Sequence, residues 1–458
     1  MNTGPRTAPE RPVEARPSAA ERRERRRTII AASAGNFAEW YDWGVYGVVA
    51  TLIARSFFPP GNEALALISA YAVFAISYVT RPFGTVIFGH IADTVGRTKA
   101  LSLTIIITCV ATAMIGLIPT YESIGVAAPL LLLGMRLIQS LGTGGEYSTA
   151  ISFVYEHGPR GRKARSVGVL TAVTFVGLLT GSVLATALSA LMPEDAWTTW
   201  GWRLLFMLSL PMGLIGLYLR RRTRDGAEFR ELQEVQRRKA SIAASPVLEA
   251  LRTSGGRILL FVAFLGVWSI VSATLTSYLA TFLKQNTALT ETAAYAANTV
   301  GSAMVVVFVL LFSPVADRLG LRRATTVATV IVAVVTAPAF ALAGAGVAGA
   351  FGGAFLLGAA KGVLAVPLLL AVSQIFPAGI RVSAGGLSYN ISQSVLGGTA
   401  PLVAVALNEA FGSSLAFSAY IVLAALVTLA IVLTVGQRWV NESAEHSGDA
   451  GAGSTGTE

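Results

Sequence analysis

Six ionisable side chains lie inside long apolar stretches of this sequence, where charged residues are unusual. Three are acids and three are bases: Glu39, Asp42, Glu146, Arg81, Arg136 and Lys361. A charge in such a stretch is costly to bury and by default indicates a functional site. Glu39 and Asp42 are three residues apart, so they lie on the same face of a helix. Structural ion pairs between helices are the alternative interpretation of the set.

Two kinds of chemistry suit these residues, namely proton binding and the binding of a charged small molecule. A carboxylate in apolar surroundings can gain and lose a proton, whereas an arginine stays charged. The candidates for proton coupling are Glu39, Asp42, Glu146 and Arg136. The candidates for substrate binding are Arg136, Lys361, Arg81, Tyr41 and Trp40.

Arg136 and Lys361 favour an anionic substrate. A helical rise of 1.5 Å per residue places both near the middle of their apolar stretches, one in each half of the chain. An arginine can bond both oxygens of a carboxylate. The rings of Trp40, Tyr41 and Trp43 would instead suit a quaternary ammonium group. The acids of the first apolar stretch, Glu39 and Asp42, could also pair with both cations. The sequence therefore predicts a mono- or dicarboxylate and leaves a zwitterion as the alternative.

The composition places these residues in a membrane protein. The chain has 458 residues, 53% hydrophobic and 13% charged, against roughly 25% charged in soluble domains. It is neither an ordinary cytosolic enzyme nor a disordered chain, and the single cysteine, Cys109, excludes an intramolecular disulfide. The net charge of +10 comes from basic blocks between uncharged runs, which is typical of membrane-protein loops rather than of a nucleic-acid surface.

The apolar runs predict an all-α membrane protein of twelve transmembrane helices, because a helix needs about 20 apolar residues to cross a bilayer. The predicted spans are 29–54, 65–88, 100–118, 126–154, 166–191, 203–219, 258–283, 292–312, 324–342, 350–376, 382–408 and 412–436. Of the 35 Lys and Arg residues, 29 fall on one side of these spans. The excess predicts that both termini are cytoplasmic and that the chain lies in the plasma (inner) membrane.

The chain divides into five predicted segments, two of which are six-helix bundles. The segments are a disordered basic arm (1–27), an N-terminal bundle (28–220), a cytoplasmic linker with an amphipathic helix (221–257), a C-terminal bundle (258–436) and a disordered tail (437–458). An internal repeat supports the division, because Asp93 and Gly96 recur as Asp317 and Gly320 after the same offset of 224 residues. Two parallel six-helix halves are typical of secondary transporters.

The repeated element is also a candidate gate. Its residues are Gly89, Asp93, Gly96, Arg97, Asp317 and Gly320. Glycine permits a tight turn, and an aspartate near a helix N-terminus or an arginine near a helix C-terminus can latch two bundles together. The first copy resembles the signature that follows the second helix in the major facilitator superfamily. A solvated loop with no latch is the alternative interpretation.

Other segments resemble one branch of that superfamily, the metabolite:H⁺ symporter family. They are Gly35–Asp42, Arg81–Gly84, Arg136–Gly142, Gly144–Tyr147 and Trp200–Arg203. The family includes the α-ketoglutarate permease and the proline/betaine transporter. The resemblance implies two pseudo-symmetric six-helix halves and import of a small polar metabolite with protons by alternating access.

The sequence thus predicts a proton-coupled importer of a carboxylate such as α-ketoglutarate, with a zwitterionic osmolyte as the alternative and a membrane-embedded enzyme as a remote one. We expect no cofactor, because no phosphate-binding loop occurs, and no metal, because the three histidines lack a ligand spacing. The expected partners are the small-molecule substrate, protons and the lipid bilayer, without nucleic acid, and the expected functional unit is a monomer.

Overall fold

The structure is a computed structural model and is helical throughout the part that it describes. The described residues are 37, 40–81, 83–84, 87–88, 91, 97–142, 151, 154–155, 159, 161–222, 255–376, 381–413 and 415–436. None of them lies in a β-strand.

The described residues up to position 222 form six main helices. They are α1 (residues 40–48 and Ala50–Phe57), α2 (Glu63–Ser77, continued by the 3₁₀ turn Tyr78–Thr80), α3 (Arg97–Leu117), α4 (Ala127–Leu141), α5 (Lys163–Leu191) and α6 (Arg203–Met207 and Ser209–Arg222). A short helical turn, Tyr121–Ile124, precedes α4, and a π-helical turn, Trp197–Gly201, precedes α6.

The described residues from position 255 form six further helices. They are α7 (residues 255–264, Gly266–Ala273, the π-helical turn Thr274–Tyr278 and Leu279–Asn286), α8 and α9 (the two parts of Glu291–Ala343), α10 (Val347–Val372), α11 (Arg381–Ser392, the π-helical turn Gln393–Gly397 and Ala400–Phe411) and α12 (Ala416–Thr434). The predicted linker helix lies outside the described residues.

The break between the eighth and ninth helices is shorter in the structure than the sequence predicts. The sequence predicts a loop over 313–323, but the chain stays helical up to Gly320, where φ is +72°, and resumes directly after it. Glycine adopts this conformation without steric cost. Asp317 therefore lies on the last turn of α8 rather than in a loop.

Seven of the described helices are long and apolar enough to cross a membrane by length and composition. One of them is the 53-residue helix that Gly320 divides into α8 and α9, and α3, α4 and α6 include shorter apolar helices. Large apolar side chains such as Leu214 and Leu259 are exposed on the outer surface, where lipid tails are suitable neighbours. The twelve helical segments within the described ranges agree with the predicted all-α membrane protein.

Close helix packing depends on glycines at helix crossings. At Gly358 in α10, the backbone lies against the carbonyl group of Gly301 in α8. Small residues at such crossings let two backbones approach, which is the main source of helix association inside a bilayer.

Gly358→Ala should lower the thermal stability of the detergent-solubilised protein. A Cβ at this position would overlap the carbonyl oxygen of Gly301, so α8 and α10 would have to move apart. Overpacking of this kind costs about 1–3 kcal/mol. The matched control is Gly134→Ala in α4, where no atom lies within 4 Å of the added methyl group. Equal melting temperatures for the two variants would contradict the prediction.

Candidate functional site

A small cavity lies between the two halves and is lined by five helices, α1, α2, α5, α7 and α11. Its lining residues are Trp40, Trp43, Phe74, Tyr78, Leu178, Ser269, Ser272, Ala273, Thr276, Gln393 and Gly397. The cavity has room for about one water molecule in this conformation. None of the lining side chains carries a charge, so the cavity surface is aromatic and neutral.

The first half supplies an aromatic wall to this cavity, formed by Trp43, Phe74 and Tyr78. The ring centroid of Trp43 lies 5.0 Å from that of Phe74 and 4.6 Å from that of Tyr78. Phe74 and Tyr78 are 5.5 Å apart. Rings in such edge-to-face and tilted pairs hold one another in place. The wall is therefore a fixed surface that a bound molecule would meet.

Two arginines contact this wall without lining the cavity. The guanidinium carbon of Arg81 lies 4.4 Å from the ring centroid of Trp43 and 4.3 Å from that of Tyr78. The guanidinium carbon of Arg136 lies 4.7 Å from the centroid of Trp43 and 4.1 Å from that of Tyr46. Each position is favourable for a cation–π interaction. Arg136 was expected to face the cavity directly, but its side chain is enclosed by these rings.

A chain of hydrogen bonds connects Arg136 to Asp42 through two residues that sequence reasoning did not select. Arg136 Nη1 donates to Gln139 Oε1 at 2.5 Å, and Gln139 Nε2 donates to Thr112 Oγ1 at 2.6 Å. Thr112 Oγ1 donates to Asp42 Oδ2 at 2.8 Å. All four side chains are buried. The chain joins α4, α3 and α1 into one polar network inside the first half.

The sequence held a signal for only one of the two connecting residues. Gln139 follows Arg136 by three positions and so shares its helix face. Thr112 lies in a run of apolar and hydroxyl residues with nothing to distinguish it from its neighbours. Its part in the network comes from the packing of α3 between α1 and α4.

Lys361 extends from α10 towards the other half. Its Nζ donates to the backbone carbonyl of Ser272 at 3.3 Å and lies 4.4 Å from the ring centroid of Phe175 in α5. The side chain is 1% exposed. Ser272 lines the cavity, so the ammonium group is adjacent to the cavity wall although Lys361 is not part of the lining. Arg136 and Lys361 thus do not form the predicted pair of cations facing one cavity.

The two aromatic candidates in α1 are separated by the structure. Trp40 lines the cavity. The hydroxyl of Tyr41, by contrast, donates to the backbone carbonyl of Leu205 in α6 at 2.7 Å, and the side chain is fully buried inside the first half. Adjacent residues of a helix point in directions about 100° apart, so both could not face the cavity. Tyr41 therefore does not line this cavity, and its predicted part in substrate binding stays a prediction.

Several candidates lie outside the described residues. They are Glu39, Gly89, Asp93, Gly96 and Glu146. Arg97 is the first residue of α3, and its side chain is not described. Their predicted roles in coupling and gating remain predictions.

Asp317 joins the two halves at one end of the bundle. Its carboxylate accepts hydrogen bonds from the backbone N–H groups of Ala164, at 2.8 Å, and Arg165, at 3.3 Å. These groups belong to the first turn of α5, and Arg165 Nε lies 3.9 Å from the same carboxylate. A carboxylate at a helix N-terminus is stabilised by the free N–H groups and by the helix dipole. The contact has the geometry of a latch between α8 and α5.

Glu291 joins the halves at the opposite end of α8, and sequence reasoning missed it. Its carboxylate accepts a hydrogen bond from Trp197 Nε1 at 2.9 Å and lies 3.5 Å from Lys284 Nζ. Trp197 belongs to the first half, and Lys284 to α7. Deeper along the same crossing, Asn298 Nδ2 donates to Ser182 Oγ at 3.0 Å. The sequence does show Glu291 as an acid in the first turn of a helix. Acids are common at that position because they cap helices, so Glu291 was not distinguished from an ordinary cap.

The sequence model of the Major Facilitator Superfamily matches residues 32–401 of the chain. The glycine betaine/proline/ectoine/pipecolic acid transporter OusA of Dickeya dadantii is 34% identical over 397 residues, which cover 84% of this chain and 78% of that protein. The proline/betaine transporter of Escherichia coli K12 is 31% identical over 420 residues, which cover 90% of this chain and 83% of that protein.

Among solved structures, a partially occluded inward-open conformation of the xylose transporter XylE from E. coli is similar. The TM-score is 0.66 at 17% sequence identity, and the match covers 90% of this chain and 97% of that chain. At this identity the similarity concerns the fold.

Tyr41→Phe should lower the thermal stability and leave the affinity for a transported substrate unchanged within about twofold. The variant removes the hydrogen bond to Leu205, which is worth about 1 kcal/mol, while the ring keeps its packing. Melting temperature and half-saturating substrate concentration are measured on the same preparation. A large increase in the half-saturating concentration, at unchanged stability, would return Tyr41 to the substrate site.

Proposed function

The chain belongs to the Major Facilitator Superfamily, and we propose that it imports a zwitterionic osmolyte of the proline or betaine type together with protons. The sequence favours a carboxylate such as α-ketoglutarate, with the osmolyte as the alternative. The names of the relatives favour the alternative, since OusA is named for glycine betaine, proline, ectoine and pipecolic acid. Membership in a family of transporters also gives no support to the alternative that this chain is a membrane-embedded enzyme.

The neutral, aromatic lining of the cavity is the observation that carries the proposal. A dicarboxylate would bring two negative charges to a surface on which no lining residue is charged, and the loss of its hydration would be costly. A zwitterion has no net charge. Its ammonium group would find the faces of the rings of Trp40, Trp43 and Tyr78, which attract a cation.

The carboxylate of the zwitterion needs positive potential nearby, and Arg81 and Lys361 are the candidates to supply it. Arg81 contacts two rings of the aromatic wall, and Lys361 is hydrogen-bonded to the carbonyl of Ser272 behind the opposite wall. Both cations are thus close to the cavity surface without occupying it. Each would attract the carboxylate of a bound zwitterion from its own side of the cavity.

The proposed proton site is the network of Asp42, Thr112, Gln139 and Arg136. Asp42 is the acid of this network, and its Oδ1 has no hydrogen-bond partner among the described residues. Arg136 packs against Trp43 and Phe74 of the cavity wall. A proton on Asp42 would change the charge behind that wall and so the binding of a substrate in front of it. Glu39 and Glu146 remain further candidates for the same role.

The contacts of Asp317 and Glu291 suit alternating access. With both termini placed in the cytoplasm by the distribution of basic residues, Asp317 lies at the cytoplasmic end of α8 and Glu291 at the external end. Opening to either side requires that the contact at that end breaks while the contact at the other end holds. Both contacts are formed in this conformation, and we take a single copy of the chain in the plasma membrane as the functional unit.

The purified protein in proteoliposomes should take up labelled proline and glycine betaine by counterflow. An excess of either unlabelled osmolyte should compete, and an excess of α-ketoglutarate should not, because the cavity lining has no charge to hold a dianion. Empty liposomes serve as the control. Competition by α-ketoglutarate without competition by either osmolyte would overturn the proposal and favour the carboxylate.

Asp42→Asn should abolish accumulation against a concentration gradient and keep counterflow. The amide can still accept the hydrogen bond from Thr112 but cannot gain or lose the proton, so an imposed pH gradient would no longer drive uptake. The internal substrate concentration should rise no higher than the external one, because no proton gradient then drives uptake. The matched control, Asp195→Asn, changes an exposed carboxylate and should accumulate normally. If Asp42→Asn accumulates substrate normally, the proton is carried by another acid and the role proposed for Asp42 is wrong.

A further inference from the structure

Two buried polar atoms of cavity-lining residues have no hydrogen-bond partner among the described residues, and they come from opposite halves. They are Nε1 of Trp43, in the first half, and Oε1 of Gln393, in the second. Two other polar groups of the lining are paired. Ser269 Oγ lies 2.9 Å from Ser392 Oγ, and Thr276 Oγ1 donates to the carbonyl of Ser272 at 2.9 Å.

Buried polar atoms without a partner are rare in proteins, and each requires an explanation. The two atoms in this cavity are complementary. The indole N–H of Trp43 can only donate a hydrogen bond, and the amide oxygen of Gln393 can only accept one. A molecule bound between the halves would have to offer an acceptor to the first and a donor to the second.

Gln393 lies in an irregular part of α11. Gln393 begins the π-helical turn of α11, and such turns occur frequently at functional sites. A Cβ at Gly397 would lie 3.1 Å from Gln393 Oε1, so the glycine leaves room beside the amide. Gln393 Nε2 donates to the hydroxyl of Tyr389 at 3.4 Å, which fixes the other end of the amide.

Zwitterionic osmolytes differ in whether they have the hydrogen-bond donor that Gln393 Oε1 would require. Proline and glycine betaine both have a carboxylate, which can accept a hydrogen bond from Trp43 Nε1. Proline has a secondary ammonium group with N–H donors, whereas the ammonium group of glycine betaine is fully methylated and has none. A fully methylated substrate would leave Gln393 Oε1 unpaired and would rely on the aromatic wall alone.

We infer that Gln393 determines specificity by favouring osmolytes that retain an N–H on the ammonium group over fully methylated ones. The inference rests on the proposed function, since it concerns the same cavity and the same class of substrate. It assigns the discrimination to the second half, whereas the aromatic wall that attracts any ammonium belongs to the first.

Gln393→Met tests the inference because methionine keeps the length of the side chain and lacks the amide. Half-saturating concentrations for proline and for glycine betaine are measured in proteoliposomes with wild type and variant. The ratio of the two should shift at least about tenfold towards glycine betaine, as expected for the loss of a hydrogen bond to a charged donor. Gln285→Met is the matched control, because it makes the same side-chain change at an exposed position of α7 that does not line the cavity. A ratio changed by less than about twofold in Gln393→Met, or changed equally by the control, would overturn the inference.

A second measurement needs no variant and therefore does not depend on the folding of Gln393→Met. Proline, N-methylproline and N,N-dimethylproline differ only in the number of N–H donors on the ring nitrogen. Competition for proline uptake by the wild-type protein should weaken mainly at the last step, where the final N–H disappears. Equal competition by all three would overturn the role of Gln393 and leave the proposed function intact. Failure of wild type to transport either proline or glycine betaine would overturn the proposed function itself.

Discussion

The buried guanidinium group of Arg136 imposes the constraint that organises the first half. A charge that is removed from water inside a bilayer must be surrounded by groups that offset the loss of hydration. Around Arg136 these are the rings of Trp43 and Tyr46 and the amide of Gln139. The amide leads through Thr112 to Asp42, so that α1, α3 and α4 share one network. The same arginine supports the wall of the cavity on one side and connects to the proposed proton site on the other.

This arrangement gives a physical basis for the proposed coupling. Protonation of Asp42 changes the net charge within a few residues of the aromatic wall. Because the dielectric constant is low there, this change alters the electrostatic energy of a bound substrate strongly. A substrate with separated charges would respond to that change even without touching Asp42. The coupling would then act through the rings and helices between the two sites and would need no shared ligand.

The second half differs from the first in what it offers to the cavity. It provides the hydroxyls of Ser269 and Thr276, the amide of Gln393 and the nearby ammonium group of Lys361, whereas the first half provides mainly rings. The same half carries α8, whose acids at positions 291 and 317 are separated by about 39 Å of helix and contact the first half at both ends. Movement of α8 relative to the first half would therefore change both contacts at once.

The sequence by itself determined the class of the protein and its helical architecture, and it selected candidate charged residues. Apolar runs of sufficient length have to be helices in a bilayer, because no other element satisfies its backbone hydrogen bonds within one segment. The cost of burying charge likewise marked Asp42, Arg136 and Lys361 before any contact was known.

Only the tertiary structure decided which way these side chains face and what they contact. The direction of a side chain depends on the rotation of its helix within the bundle, and packing against several other helices sets that rotation. Packing turned Tyr41 towards Leu205 and placed Arg136 against the ring of Tyr46, which the sequence assigned to no site. It also brought Thr112, Glu291 and Gln393 to their partners or to the cavity, although local sequence did not distinguish them. Contacts between residues distant in the chain are set by the packing of whole helices, so the pattern of one helix cannot reveal them.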